Sequence, residues 1–295
     1  MRLLIAGWHG QVARALIEAA PSSPHVKALA AGRPALDVRD PRSVERAFGD
    51  LSPDIVINTA AYTAVDQAET DPDGAFALNQ DGARLLARAA ARRNVPVIHL
   101  STHYVFDGAK EAPYSESDAP SPQTVYGRSK LEGERAVIEA NPQHVIIRTG
   151  WVFSATGRNF ATKILGAAAS GDALRVVSDQ RGNPTFAPHL ASAILDVAHQ
   201  ITTRRTIDGV WGTYHAAGAG VTSWHLFACE ILENATKFGR ANAQVEPIAT
   251  AAYPTPAPRP LNSALDCAKF ERAFGLALPP WQQGVDACVE AILVS

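Results

Sequence analysis

The chain has 295 residues, enough for a nucleotide-binding domain with a smaller companion packed against it. Hydrophobic residues make up 46% and charged residues 19%, a balance that leaves little room for long disordered tracts. The net charge of −2, from 27 basic and 29 acidic residues, excludes a global field that would attract nucleic acid or an anionic membrane. An anionic ligand must therefore be bound by local groups.

The cysteines and the first residues indicate the cellular compartment. Cys229, Cys267 and Cys288 have no Cys-x-x-Cys spacing and lie in helix-like patterns, which is typical of buried thiols in a reducing compartment. Residues 1–6 run directly into a strand-like stretch without a cationic leader. No apolar run approaches the roughly 18 residues of a membrane span. We therefore expect a cytoplasmic protein without a membrane partner.

Short apolar runs alternate with helix-compatible stretches in the first half of the chain. The runs cover residues 3–6, 26–31, 55–58, 97–100 and 145–147. This alternation predicts an α/β fold, a Rossmann-type doubly wound parallel sheet with helices on both faces. Asp40 before Pro41 and Asp71 before Pro72 each place an N-cap acceptor ahead of a first-turn proline. One long, alanine-rich crossover helix is predicted over residues 71–94.

Beyond residue 149 the pattern becomes irregular. Helices are predicted over residues 159–170, 189–203, 223–234 and 281–293. Four prolines within residues 253–260 predict an extended, stiffened loop. Trp224 and Trp281 lie in helix patterns and are predicted to pack rather than to stack on a ligand. We expect a Rossmann domain over residues 1–149 and a smaller α/β part over residues 150–295, with segments that return to the first domain.

The turn after the first strand predicts a dinucleotide site. Gly7, Gly10 and Ala13 form a G-x-x-G-x-x-A pattern between a strand and a helix. Glycine allows a tight turn and close approach of a pyrophosphate, while the helix offers free N–H groups and a positive dipole end. The residues predicted to bind the cofactor here are Gly7, Gly10, Gln11 and Val12.

The ends of the second and third strands refine the cofactor prediction. Dinucleotide sites usually carry an acidic residue at the second strand end, where it bonds the ribose hydroxyls. This chain has Arg33 instead, which can pair with a 2′-phosphate, so we expect NADPH, with NADH also usable. A solvated loop arginine is the alternative. Ala60 and Ala61, at the third strand end, either leave room for a ribose or form only a tight turn.

Tyr126 and Lys130 are four residues apart, so on a helix their side chains share one face. A cation about 4 Å away contributes roughly 4 kcal/mol to phenolate at an effective dielectric constant of about 20, so Lys130 would lower the pKa of Tyr126 by up to about 3 units before the opposing effect of desolvation is subtracted. Tyr126 would protonate a carbonyl oxygen as hydride reaches its carbon, and Lys130 would also hold the nicotinamide ribose. Thr102 closes the fourth strand, where its hydroxyl can bond the developing oxyanion. The alternative is an ordinary surface helix pair.

Several separated segments together resemble the extended short-chain dehydrogenases, and within them the dTDP-4-dehydrorhamnose reductase family. They are residues 7–12, 58–66, 69, 101–108, 126–130, 148–153, 159–160, 179–180, 184–185, 259–260 and 262–263. The resemblance covers nearly the full length. It implies hydride transfer from NAD(P)H to C4 of dTDP-4-dehydro-L-rhamnose, with Thr102, Tyr126 and Lys130 as the catalytic set. A homodimer is also possible.

The resemblance also implies further contacts. Asp37 and Val38 would contact adenine, and Trp151 would lie against the sugar. Arg259 in the proline-rich loop and Lys163 on the helix after residue 159 are the basic candidates for the diphosphate and base, or else solvated surface charges. The complete set of implied substrate-binding residues is Thr63, His103, Trp151, Asn159, Lys163 and Arg259.

His103 departs from the family pattern, which has aspartate at this position. A carboxylate accepts bonds from sugar hydroxyls, whereas imidazole donates and accepts and gains a charge below about pH 6.5. The histidine is either a tolerated polar substitution or a sign of altered sugar specificity. His99 and His103 straddle a strand end and have no evident third ligand, so no metal site is predicted.

Two other functions fit the same sequence pattern. The first is a non-catalytic regulatory subunit that keeps the cofactor fold, against which the intact Thr102, Tyr126 and Lys130 argue. The second is a nucleotide-sugar epimerase or dehydratase that recycles its nicotinamide. Dehydratases of the superfamily have an acid pair after the threonine, whereas this chain has His103 and Tyr104.

Overall fold

The computed structural model describes residues 1–22, 26–169, 173–203, 209–240 and 243–294. The strands in these ranges are β1 (Arg2–Ala6), β2 (Lys27–Ala31), β3 (Ile55–Asn58), β4 (Val97–Thr102), β5 (His144–Thr149), β6 (Val152–Phe153), β7 (Leu174–Val177), β8 (Arg181–Gly182), β9 (Thr185–Phe186), β10 (Gly212–His215), β11 (Thr222–Ser223) and β12 (Val245–Ile248). The helices are α1 (Gln11–Ala19), α2 (Pro41–Leu51), α3 (Val65–Ala68), α4 (Pro72–Phe76), α5 (Ala83–Ala91), α6 (Val125–Ala140), α7 (Phe160–Ala168), α8 (Ala187–Thr203), α9 (Trp224–Thr236), α10 (Ala268–Phe274) and α11 (Trp281–Leu293).

Among the described residues, six parallel strands form the central sheet, in the order β10–β5–β4–β3–β1–β2. Side chains of α1, α8 and α10 pack on one face of the sheet, and those of α2 and α5 pack on the other, with α6 beside α5. The middle residues of β1, β3 and β5 are apolar and fully buried because both faces of the sheet are covered. The predicted Rossmann-type α/β fold is confirmed.

Local sequence signals set the helix starts. Asp40 accepts a hydrogen bond from the Arg42 N–H and Asp71 accepts one from the Gly74 N–H, each ahead of a first-turn proline. Both predicted N-caps are confirmed. The single helix predicted over residues 71–94 is instead interrupted by a π-helical segment, Ala77–Gly82, between α4 and α5. Such segments are often found near functional sites.

Short strand pairs and three helices form a second core beside the sheet. The strands pair as β6 with β9, β7 with β12, and β8 with β11. Helices α7, α9 and α11 bury aromatic and aliphatic side chains against them, among them Phe153, Phe227 and Trp281. The helix predictions for this half are confirmed, except that Ser170 lies outside the described residues. Strand β10 pairs with β5 at the edge of the central sheet, and α8 packs on α1.

Within the described ranges, no helix combines the length and the apolar character needed to cross a bilayer. The cysteines are free, as expected, but the expectation that all three are buried is wrong. Cys288 is buried, whereas Cys229 on α9 and Cys267, the residue before α10, are half-buried.

Candidate active site

A cleft of about 990 Å³ lies at the carboxyl ends of the central strands. Its walls come from the turn after β1, the ends of β3, β4 and β5, helix α6, and the elements α7 and β7 of the second core. Open parallel sheets bind ligands at this edge, and the volume is at the upper end of the range for small-molecule sites, about 300–1,000 Å³. The cleft therefore has room for an extended ligand or for two ligands side by side.

The glycine turn after β1 has the geometry of a phosphate-binding loop. Gly7 has a φ of 101°, and a Cβ there would lie 2.8 Å from Thr59 Oγ1, so no other residue fits. Gly10 is the N-cap of α1, whose first N–H groups receive no side-chain cap. A Cβ on Gly10 would meet no atom within 4 Å, so this side of the turn is open space. An anion can approach the helix N-terminus there.

Gln11 and Val12 begin α1 and line the cleft. The Gln11 amide donates to the Val152 carbonyl oxygen at 3.1 Å and accepts from Ser154 Oγ at 2.8 Å. The side chain predicted to bind cofactor thus joins the glycine turn to β6 of the second core.

The second group of predicted cofactor residues lies beyond the cleft wall, near the end of β2. Arg33 is exposed, whereas Val38 is buried and packs against Gly82.

The Asp37 carboxylate forms an ion pair with Arg39 at 2.9 Å, and the hydrogen bond from Arg39 holds the pKa of Asp37 below its usual range. Ala61 lines the cleft, and Ala60 packs beside the Gly7 turn.

Trp8 also lies at the end of β2, and sequence reasoning missed it. Its side chain is 42% exposed. The ring covers Gly32, where a Cβ would lie 2.6 Å from Trp8 Cδ1. A large exposed aromatic residue inside a glycine-rich turn is the signal that could have identified it.

Helix α6 carries Tyr126 and Lys130 into the cleft. Thr124 caps the helix by accepting from the Gly127 N–H at 3.0 Å, and the Glu69 carboxylate accepts from the Val125 N–H at 2.8 Å. Both caps fix the first turn, which contains Tyr126. Lys130 is 2% exposed, and its Nζ donates to the Leu100 carbonyl oxygen at 2.6 Å.

Thr102 completes this group from the end of β4. Its Oγ1 accepts from the Tyr104 N–H at 3.2 Å, and its hydroxyl also bonds the Tyr126 side chain. The structure therefore brings the three predicted catalytic residues, Thr102, Tyr126 and Lys130, together in one wall of the cleft.

Desolvation, which was expected to oppose Lys130, decides the pKa of Tyr126. Burial raises the pKa of Tyr126 to about 12, an effect that the Thr102 hydrogen bond only partly opposes. Burial also lowers the pKa of Lys130 to about 8, and its ammonium group is directed to the Leu100 carbonyl. At neutral pH the phenol is protonated and the lysine is largely charged, so Tyr126 is suited to donate a proton rather than to accept one.

His103 is buried in the wall of the cleft, directly after β4. Its Nδ1 faces Gly150, where a Cβ would lie only 2.0 Å away. Burial lowers the pKa of His103 to about 4. The expected charge gain below pH 6.5 is therefore wrong, because the surroundings of the ring keep the imidazole neutral.

This burial predicts an acid-sensitive fold. A histidine with a depressed folded pKa contributes stability that is present above its unfolded pKa, about 6.5, and is lost as the pH falls towards 4. We expect His103→Gln to reduce the slope of the unfolding free energy against pH in this window by up to one proton, about 1.4 kcal/mol per pH unit. Urea unfolding at several pH values measures the slope. His199→Gln, on the exposed face of α8, is the control, and an equal slope in both variants would contradict the prediction.

Trp151 occupies an unusual backbone position at the start of the second core. Its φ is 49°, in a region that bulky residues adopt only when their surroundings impose it. The indole Nε1 donates to Ser263 Oγ at 3.0 Å, and the ring stacks on Trp224 with centroids 3.5 Å apart. Trp224 was predicted to pack, and it does, but it also lines the cleft. Trp281 is buried in the second core, as predicted.

Arg259 projects from the proline-rich loop into the cleft but is already paired. Its Nη2 lies 2.6 Å from Asp66 Oδ2, and Asp66 Oδ1 accepts from the Ala257 N–H at 3.1 Å. The ion pair holds the loop against α3. Arg259 is therefore not the solvated surface charge of the alternative interpretation.

The remaining predicted substrate residues line the same cleft. Asn159 caps α7, accepting from the Ala161 and Thr162 N–H groups. Thr63 and Lys163 are exposed on the walls. Two further exposed cations, Arg158 and Arg175, line the cleft and were missed by sequence reasoning, because nothing in a loop or an edge strand marks a cation as facing a site.

Within the described ranges, no three His, Cys, Asp or Glu side chains are placed to hold a metal ion. The His99 ring nitrogen lies 3.0 Å from the Asn58 amide, inside the sheet, and this pairing accounts for a buried polar histidine.

Comparison with known proteins agrees with this geometry. Residues 1–294 match the family described as RmlD substrate binding domain. The chain is 47% identical to the dTDP-4-dehydrorhamnose reductase of Sinorhizobium fredii, over 100% of this chain and 98% of that protein. The chain belongs to the dTDP-4-dehydrorhamnose reductase family.

Solved structures of this family have the same architecture. The dTDP-4-dehydrorhamnose reductase of Clostridium acetobutylicum superposes with a TM-score of 0.90 at 33% identity, covering 98% of this chain and 99% of the other. The reductase of Bacillus anthracis, solved in complex with NADP, superposes with a TM-score of 0.86 at 30% identity, covering 97% of both chains. The family relationship therefore spans both the central sheet and the second core.

Proposed function

We propose that the protein reduces the C4 ketone of dTDP-4-dehydro-L-rhamnose to the alcohol, giving dTDP-L-rhamnose with NADPH as the reductant. The observation that carries this proposal is the burial of Thr102, Tyr126 and Lys130 together in the wall of one large cleft at the carboxyl edge of the sheet. Membership of the dTDP-4-dehydrorhamnose reductase family supports the sugar nucleotide as substrate.

The residues around the glycine turn fit a dinucleotide cofactor. The open space at Gly10 and the uncapped N-terminus of α1 suit a pyrophosphate, and Arg33 at the end of β2 suits a 2′-phosphate. The NADP complex of the Bacillus anthracis relative supports this choice. Gly7, Gln11, Val12, Ala60 and Ala61 would form the backbone surface under the cofactor, and Asp37 and Val38 the edge near adenine.

Bound NADPH supplies the hydride, which forms the new C–H bond at C4 of the sugar. Tyr126 gives its phenolic proton to the ketone oxygen, which becomes the C4 hydroxyl. Thr102 donates a second hydrogen bond to that oxygen as negative charge develops on it. Lys130 keeps its ammonium group next to the reacting atoms, fixed by the Leu100 carbonyl, and holds the nicotinamide ribose. A neutral His103 and Trp151 would contact the sugar.

The basic side chains on and around α7 and β7 suit the diphosphate of the substrate. Lys163, Arg158 and Arg175 are exposed there, and Arg259 is held in place by Asp66. Asn159 and Thr63 would complete the substrate contacts. In this arrangement residues 1–149 bind the cofactor and contribute Thr63, Thr102 and His103 to the substrate site, and residues 150–295 provide the other substrate contacts. The homodimer and the cytoplasmic location expected from the sequence stay predictions.

The decisive experiment mixes the purified protein with NADPH and enzymatically made dTDP-4-dehydro-L-rhamnose and follows the absorbance of the reduced nicotinamide. We expect net oxidation of NADPH in proportion to the sugar nucleotide added. A regulatory subunit or an epimerase would give no net oxidation, and turnover no higher than that of Tyr126→Phe would refute the proposal. A panel of other 4-keto sugar nucleotides then tests whether His103 changes the preferred sugar.

Arg33→Ala should change the cofactor preference. Losing a charge-assisted bond to the 2′-phosphate is expected to raise KM for NADPH about tenfold and to leave KM for NADH unchanged. Steady-state kinetics with both cofactors measures the ratio. Arg39→Ala removes a nearby arginine that is engaged with Asp37, and it is the matched control. A preference for NADH in the wild type that Arg33→Ala leaves intact would contradict the assignment.

A further inference from the structure

A buried ion pair lies beneath the catalytic group and is not used by the mechanism above. Glu134 on α6 and Arg148 on β5 are 2% and 5% exposed. Arg148 binds the carboxylate in a bidentate manner, with Nε 2.8 Å from Oε1 and Nη2 2.6 Å from Oε2. Both charges are removed from water, so each depends on the other side chain for its hydrogen bonds.

The same carboxylate reaches the strand that carries Thr102. Ser101 Oγ donates to Glu134 Oε1 at 2.5 Å, and Ser101 lies between Leu100 and Thr102 in β4. Leu100 provides the carbonyl that accepts from Lys130. The Glu134 carboxylate therefore joins the end of β4 to α6. This link lies next to Leu100, which binds Lys130, and next to Thr102.

Glu134 also follows Lys130 by one helical turn, on the same face of α6. We propose that Glu134 is a positioning residue for the reduction: it holds the end of β4 against α6, and its negative charge keeps Lys130 protonated inside the buried wall. This inference rests on the proposed function for its kinetic consequence, but not for its structural one.

The charged and titratable groups around Lys130 support this role. Burial lowers the pKa of Lys130, and Glu134 raises it, leaving it near 8. Tyr126, on the same helix, is a neutral phenol, and His99 on β4 is kept neutral by burial and by the nearby Lys130 charge. Arg148 on β5 forms an ion pair with Glu134. Removing the carboxylate would therefore leave burial largely unopposed, and Lys130 would lose its proton at a lower pH.

The test compares Glu134→Gln with Glu132→Gln. Glutamine keeps the shape and can still bond Ser101, but it removes the charge, whereas Glu132 pairs with Arg135 on the exposed side of the same helix. We expect Glu134→Gln to move the alkaline limb of kcat/KM down by about one pH unit. Glu132→Gln should leave the profile unchanged.

A second readout does not depend on turnover. Carbon-13-labelled lysine allows the Lys130 side chain to be titrated by NMR, with its signal assigned by its absence in Lys130→Met. We expect the Lys130 pKa to fall by about one unit in Glu134→Gln. If the wild type fails to oxidise NADPH, the proposed function fails while this titration still decides the inference.

Glu134→Gln leaves Arg148 charged and buried, so Glu134→Gln with Arg148→Gln is the second variant, in which neither charge remains. A lowered Lys130 pKa in whichever variant folds supports the proposal. A Lys130 titration and a pH profile that both coincide with those of the wild type would overturn it, because a purely structural ion pair would change stability without changing the proton on Lys130.

Discussion

Tyr126→Phe is expected to lower kcat for the ketone reduction by about 10²–10⁴-fold, the usual contribution of a positioned general acid. The phenol is buried beside Thr102 and is protonated at neutral pH, since burial raises its pKa to about 12. Phenylalanine fills the same volume without the proton. NADPH affinity, measured by titration calorimetry, should change by less than threefold, which separates a lost proton donor from a damaged site.

Tyr104→Phe is the matched control for this experiment. Tyr104 packs edge-on against Tyr126, with ring centroids 5.5 Å apart, and its hydroxyl has no role in the proposed reaction. We expect its kcat to stay within about fivefold of the wild type. Equal losses in the two variants would mean that packing of the aromatic pair, and not the Tyr126 proton, limits the rate.

Gly133→Ala in α6 is expected to destabilise the fold. A Cβ at Gly133 would lie 2.2 Å from the Asn79 carbonyl oxygen, which belongs to the backbone of the π-helical segment and cannot turn aside. Helix and segment must separate, and overpacking of this kind costs about 1–3 kcal/mol. Urea unfolding followed by circular dichroism measures the change.

Gly49→Ala makes the same chemical change where there is room. Gly49 is exposed near the end of α2, and a Cβ there would meet no atom within 4 Å. We expect a gain of about 0.5–1 kcal/mol, because alanine loses less backbone entropy on folding than glycine does. A loss at Gly49 similar to that at Gly133 would contradict the prediction, because only Gly133 has a backbone oxygen in the way of the added methyl group.

The sequence predicted those features that depend on local chemistry. Apolar runs identified five strands of the central sheet but not β10, and the Asp-Pro pairs at residues 40 and 71 identified two helix starts. The glycine turn and the Tyr126–Lys130 spacing identified the wall of the cleft, since position relative to a strand end fixes where such residues point.

The features that depend on burial could not be predicted in this way. The net pKa shift of Tyr126 could not be predicted, because spacing shows a nearby lysine but not how much water the phenol loses. His103 was expected to titrate near neutrality for the same reason. The Asp66–Arg259 and Glu134–Arg148 pairs join residues far apart in the chain, and a single sequence contains no signal for such contacts.

The parallel ends of β4 and β5 make two positions depend on each other. Thr102 and Thr149 are register partners, so the next residues, His103 and Gly150, share one small space. A side chain at 150 is compatible only with a smaller residue at 103, and an imidazole at 103 demands glycine at 150. An engineer seeking another sugar can therefore place a smaller residue at 103 alone, whereas a side chain introduced at 150 while His103 is kept will report the collision rather than the preference.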